Sequence, residues 1–149
     1  MILDRFIKPN QRIIFSIGYE KRTLSEFIEL LISYKVKRIV DIRLNPYSEN
    51  QSFSEGRLRN ILKSNGIDYI HVSSFSPPLG MRRKYQASKD FEGFSKEFSS
   101  FLEVRSKLIR KWTETLEDAD CLMCYEKVDT HCHRSLIYKY IQGQVYPIQ

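Results

Sequence analysis

No apolar run in this chain is long enough to cross a bilayer, and the start, Met1-Ile-Leu-Asp-Arg-Phe-Ile-Lys8, lacks the apolar stretch and small-residue cleavage site of an export signal. A membrane partner is therefore not expected, and a soluble cytoplasmic protein is. Cysteine is scarce: three residues, an odd number in a compartment that keeps thiols reduced, which excludes a disulfide framework. Six glycines and five prolines are too few for a low-complexity chain, and no internal repeat occurs. The Gly-rich dinucleotide fingerprint, the P-loop and the hydrolase nucleophile elbow are all missing.

What is present fits one globular domain over residues 1–149, since 42% of the residues are hydrophobic, enough for a core. The net charge of +6 and pI near 9.2 favour an anionic partner, a small phosphate-bearing molecule or nucleic acid, although a few excess lysines also serve solubility. Residues 1–12 read as an extended lead-in. Short apolar runs predict buried strands at 12–18, 38–43, 68–72 and 121–125, with a fifth at 144–148 that Pro147 confines to an edge.

Helices fall between them. Thr23-Leu-Ser-Glu26 has the form of a capping box, and Leu24, Phe27, Ile28 and Leu31 follow at helical spacing. Ser54 precedes a second helix carrying Leu58, Ile61 and Leu62, stopped by Asn65-Gly66. Phe91, Phe94, Phe98, Phe101 and Leu102 form an aromatic stripe of core type, continued by Val104, Leu108, Trp112 and Leu116 on a further helix or bent extension. Leu136, Ile137, Tyr140 and Ile141 mark the last helix. Residues 73–89, with Pro77-Pro78, Gly80 and Arg82-Arg83-Lys84, read as a long loop, a candidate lid. This alternation predicts a single α/β domain of Rossmann-like, three-layer form. Its mostly parallel sheet of four or five strands carries helices on both faces, and strand order 3-2-1-4-5 is favoured.

In such sheets ligands bind beyond the carboxyl ends of the strands. Every predicted strand ends in polar groups that should converge there: Tyr19 and Glu20, Asp41 and Arg43, His71, and Glu126. The densest chemistry follows the fourth strand, where Cys124, Glu126, His131, Cys132, His133, Arg134 and Ser135 crowd one strand-to-helix turn. If Asp129 or Thr130 caps the last helix, Cys132, His133 and Arg134 occupy a first turn whose free N–H groups attract anions. Arg134, Ser135 and Arg43 then hold the anion, unless Arg134 is spent on a bridge to Glu126 or Asp41. Cys132 is either a thiolate nucleophile beside His133 or a small packing residue. A cysteine-led phosphate loop with arginine six residues on is absent, because that position after Cys124 is Thr130. Glu20 or Glu126 supplies acid–base chemistry. No cofactor is expected; zinc is the alternative, with Cys124, Cys132, His71, His131 and His133 as candidate ligands in irregular spacing.

Ser16-Ile-Gly-Tyr-Glu20, Val40-Asp-Ile-Arg43 with Pro46, Phe53-Ser54, Gly66-Ile-Asp-Tyr-Ile-His71, Leu79-Gly80, Leu122-Met-Cys-Tyr-Glu126 and Cys132-His-Arg-Ser135 occur in that order. In this the chain resembles the domain of unknown function 488 family over about residues 13–141, departing from it at Met81-Arg-Arg83, where a second glycine is common. The resemblance implies that these positions form one site and lends no reaction. Together the readings give a small enzyme acting on a phosphate-bearing, nucleotide or nucleic-acid-related substrate. Glu20, Glu126, Cys132 and His133 are its catalytic candidates, Arg43, Arg134 and Ser135 its anion grip, and Arg82 and Arg83 its lid. Tyr19, Asp41, His71 and Cys124 support them. The alternative is a non-catalytic nucleic-acid-binding or regulatory module built on the same basic surface.

Overall fold

The central strands are buried on both faces, and successive side chains pack into two separate apolar layers. A computed structural model describes residues 12–149, and His131 only by its backbone; the lead-in expected before Arg12 lies outside the described residues. In β1 (Ile13–Gly18), Ile14 joins one apolar cluster while Phe15 and Ile17 join another on the opposite face. In β4 (Asp120–Cys124), buried at every position, Leu122 and Cys124 face the first cluster and Cys121 and Met123 the second. The remaining strands are β2 (Arg38–Asp41), β3 (Asp68–His71) and β5 (Gln144–Ile148).

Helices α1 (Leu24–Ser33) and α2 (Glu55–Ser64) cover one face through Phe27, Leu31, Leu58 and Leu62. Thr23 caps α1, its Oγ1 accepting from the Glu26 N–H at 3.1 Å and its hydroxyl donating to the Glu26 carboxylate. Ser54 precedes α2 as expected, but its hydroxyl donates to the Ser48 carbonyl. Helices α4 (Phe91–Val104), α5 (Ser106–Glu114) and α6 (His133–Ile137) cover the other face, through Phe94, Phe98, Leu102, Ile109 and Ile137. The result is a single α/β domain with helices on both sides of the sheet. No helix among the described residues is long and apolar enough to cross a membrane.

Two expectations are corrected. All five strands are parallel, but their order is β3-β2-β4-β1-β5, so β4 lies between β1 and β2 rather than outside β1. An ion pair bridges the β2–β4 seam. Asp120, buried at the start of β4, accepts from Arg38 Nε at 2.9 Å and Nη2 at 2.7 Å, and Arg38 opens β2 directly opposite it. The wholly apolar continuation of β4 suits the centre, and β5, with Pro147 opposite Ser16, takes the edge beside β1.

The second correction concerns residues 73–89, which are not one long loop. A 3-10 turn at Ser73–Phe75 leads into α3 (Leu79–Ser88). Pro78 sets the entry, the residues after Gly80 are mostly good helix formers, and Met81 and Tyr85 pack on the aromatic stripe of α4.

The corrected order places the crevice. The connection from β1 leaves through α1 on one face, and the connection from its neighbour β4 leaves through α6 on the other. The gap between the ends of β1 and β4 is therefore the topological switch point. The chain is pinched there: a Cβ on Gly18 would lie 1.7 Å from the Glu126 carbonyl oxygen, so only glycine lets the two strand ends meet. Asp120→Asn removes the charge that fixes β4 beside β2. It is expected to lower stability by about 2 kcal/mol at neutral pH, seen as a lower denaturant midpoint with an unchanged slope.

Candidate functional site

Each wall of the cavity at the switch point comes from a strand end or a helix already placed. The cavity holds about 340 Å3. Tyr19, next after β1, donates its N–H to the Cys124 carbonyl at 3.2 Å and stacks its ring on Phe53 at 4.6 Å. Arg43 arrives two residues after β2, Tyr125 and Glu126 just after β4, His133 from α6, Phe94 from α4, and Arg82, Tyr85, Gln86 and Lys89 from α3 and its C-cap.

The floor is a knot of two thiols and a carboxyl. Cys124 Sγ and Cys132 Sγ lie 2.8 Å apart, and Glu126 Oε2 lies 3.2 and 3.3 Å from them. All three cysteines of the chain are free. Burial pushes the Cys124 thiol well above its ordinary pKa, and its contact with Cys132 adds to the rise. Burial also opposes ionisation of Cys132. There, however, the hydrogen bond from Cys124 and the influence of His133 and Arg134 win, drawing it well below the usual thiol value. Burial, followed by the Cys132 charge, raises the Glu126 carboxyl.

Behind that floor sits Arg134, 1% exposed. It donates through Nη1 to Ser16 Oγ at 2.9 Å, through Nη2 to the Glu126 carbonyl at 2.5 Å and through Nε to Cys132 Sγ at 3.4 Å. None of these partners is a carboxylate, so neither bridge expected for it, to Glu126 or to Asp41, is made. Nor is it free to grip an anion, since every arm is turned inward. The cap also differs from expectation. Cys132, not Asp129 or Thr130, is the N-cap of α6, its sulfur accepting from the Arg134 N–H at 3.5 Å. Asp129 instead accepts from the Tyr138 hydroxyl at 2.9 Å, and that hydroxyl oxygen accepts in turn from the Ser16 hydroxyl at 2.6 Å. With only five residues in α6, its first turn is no anion cradle.

Arg43 keeps a place in the cavity wall but is clamped from behind. Asp41 accepts from its Nε at 2.9 Å and its Nη2 at 2.7 Å, and also from Tyr69 Oη at 2.5 Å. A family model described as "Domain of unknown function DUF488" matches residues 23–141, most of the chain. The chain belongs to the DUF488 family. No curated protein and no solved structure matches it.

In this DUF488 domain the segments picked out in the sequence meet only in part. Tyr19, Arg43, Arg82, Cys124, Glu126 and His133 line the cavity, and Cys132 closes its floor from behind. Glu20 does not line it; its carboxylate accepts from the Lys127 N–H at 3.1 Å and so fixes the loop after β4. His71 is spent on the Arg43 carbonyl, 2.6 Å from its Nε2, and Ser135 donates to the Cys132 carbonyl. Arg83 is exposed on α3, away from the cavity. The His131 side chain lies outside the described residues.

Sequence reasoning missed Tyr47, Lys89 and Tyr125. Tyr125 follows β4 directly and was legible by the same rule that found Glu126. Lys89 was hidden because its segment read as a loop, in which only the run Arg82 to Tyr85 stood out. Ser16, a hydroxyl inside an apolar strand, was the signal that something polar is buried beneath β1. Arg134→Lys cannot span its three acceptors and should lose about 3 kcal/mol in denaturant unfolding, whereas Arg83→Lys, on an exposed helix face, should change nothing measurable.

Proposed function

We propose that the cavity is the active site of an enzyme acting on a phosphate-bearing, nucleotide or nucleic-acid-related substrate. The observation that carries this reading is one concavity at the switch point with cations on its walls and reactive side chains on its floor. Arg43 is balanced by Asp41, so among the described residues the positive charge at the rim without an ion-pair partner belongs to Arg82 and Lys89, and the anion grip moves to them. Of the four tyrosines on its walls, Tyr19 and Tyr85 are stacked on Phe53 and Phe94, whereas the exposed rings of Tyr47 and Tyr125 are suited to a base or another flat group. Glu126 is the carboxylate that lines the cavity and takes the acid–base role; Cys124, Cys132 and His133 shape the reacting end. Free thiols on the floor fit a reducing, cytoplasmic setting.

The rival is a non-catalytic nucleic-acid-binding module, which the exposed basic residues Arg105, Lys107, Arg110 and Lys111 of α5 and its N-cap would serve. A panel of nucleotides and simple phosphate esters, followed by calorimetry and by product release, separates the two. The enzyme reading expects micromolar to millimolar binding, weakened about tenfold by combining Arg82→Ala with Lys89→Ala, and turnover that falls about a hundredfold in Glu126→Gln. Tight, steeply salt-dependent binding of long RNA or DNA that survives all three substitutions, with no turnover, would replace it with the module.

A further inference from the structure

We infer that Cys124, Glu126 and Cys132 form a binding site for a thiophilic divalent cation of the zinc class, with one coordination position open to the cavity. This concerns the floor of the proposed active site but does not depend on the phosphate-bearing substrate. Among the described residues these three are the group of His, Cys, Asp and Glu side chains whose donor atoms close on one point. Their separations of 2.8, 3.2 and 3.3 Å compare with about 3.8 Å between sulfurs in a tetrahedral zinc site, so the donors have to spread by about an ångström or less. Two sulfurs and one carboxylate oxygen select zinc over magnesium or calcium, which prefer all-oxygen shells.

The surroundings are those of a ligand set. Cys124 ends a central strand and Cys132 caps a helix, so both sulfurs are held by fixed backbone. The Nε and backbone N–H of Arg134 point at Cys132 Sγ from 3.4 and 3.5 Å, the hydrogen bonds that orient a ligating thiolate. A divalent ion held by two thiolates and a carboxylate leaves one negative charge. The buried Arg134, which has no carboxylate partner among the described residues, matches it. His133 borders the same point: its Nδ1 is 3.9 Å from Cys132 Sγ, and its buried Nε2 has no hydrogen-bond partner among the described residues. Cys124, Glu126 and His133 also line the cavity, which gives the ion a path in and leaves its fourth position for the imidazole, water or a substrate oxygen. Cys121 lies on the opposite face of β4 and takes no part.

The test uses untagged protein, stripped with chelator in a non-thiol reductant, and titrated with Zn2+ and with Co2+ as its coloured substitute. One equivalent of zinc per chain is expected. The cobalt form should show a thiolate-to-metal charge-transfer band and the intense visible bands of a four-coordinate site. Cys124→Ser and Cys132→Ser should each weaken binding about a hundredfold and reduce the charge-transfer band, Glu126→Gln should weaken it about tenfold, and Cys121→Ser should leave it unchanged. Should a cysteine variant fail to fold, the wild type still decides: bound zinc must slow alkylation of Cys124 and Cys132 by iodoacetamide. Less than stoichiometric uptake by folded wild type, a cobalt spectrum without the thiolate band, or alkylation indifferent to zinc would overturn the site. None of these results touches phosphate binding, whose measure is the Arg82 and Lys89 pair; with the ion bound Glu126 is a ligand, so a turnover loss in Glu126→Gln assigns acid–base work to it only if it also appears in the metal-free protein.

Discussion

Arg134 is the joint on which the rest of the site hangs. Its guanidinium ties together the middle of β1 through Ser16, the loop after β4 through the Glu126 carbonyl and the head of α6 through Cys132. Those are the two strands flanking the switch point and the helix that leaves it. A buried cation of this kind has to be satisfied on every arm, because an unpaired charge in the interior costs several kcal/mol. The arrangement therefore dictates where the Glu126 backbone runs and, through the Cys132 sulfur, where the second thiol sits. Gly18 completes the constraint from the other side, since the Glu126 carbonyl occupies the space any larger residue would need. Held from both directions, the loop after β4 has little freedom to place Glu126 anywhere but over the two cysteines.

Strand order gives this joint its meaning. Had β4 lain outside β1, the neighbours at the reversal point would have been different strands, and the ends of β1 and β4 would have fed a different pair of helices. The Arg38–Asp120 pair at the opposite end of the sheet sets β4 beside β2, and the continuous apolar run Cys121-Leu-Met-Cys124 lets it sit in the centre. Two ion pairs therefore do separate jobs on β2. Arg38–Asp120 positions the strand in the sheet, and Asp41–Arg43, at the strand's carboxyl end, fixes a cation in the cavity wall.

Much of this was legible in the sequence, for reasons that differ by element. The short apolar runs of β1 and β4 and the 3.6-residue stripes of α1, α2 and α4 follow from burial, which patterning reports directly. The edge position of β5 followed from Pro147, which lacks an N–H. Strand order was not legible, because it rests on a pairing between Arg38 and Asp120, 82 positions apart, that no local pattern announces. The helix at 79–88 was masked by Pro77-Pro78 and Gly80, which punctuate its entry rather than its interior. Arg134 was found as important, but in the wrong role: a sequence shows a cation beside a thiol and cannot show which way its arms turn.

That last correction changes where the positive charge of the cavity sits. With Arg134 turned inward, Arg43 paired with Asp41 and residues 79–88 helical, the remaining cations facing the cavity, Arg82 and Lys89, come from one side of α3 and its C-cap. Arg82, Tyr85, Gln86 and Lys89 recur at the three- and four-residue steps that share a helix face, and all four line the cavity. Tyr85 stacks on Phe94 at 4.8 Å, so this face is anchored to α4 and through it to the core. The charge is thus preorganised on a rigid element, which spares the ordering cost a mobile segment pays on binding. Depth separates two kinds of chemistry. The rim, with exposed Lys89 and half-buried Arg82, suits a hydrated and strongly charged group, whereas the floor, with buried sulfur and the half-buried Glu126 carboxyl beside a compensating guanidinium, suits a soft ion or a reacting atom removed from water. A ligand long enough to span both would place its charged end on α3 and its reacting end over Cys124 and Glu126.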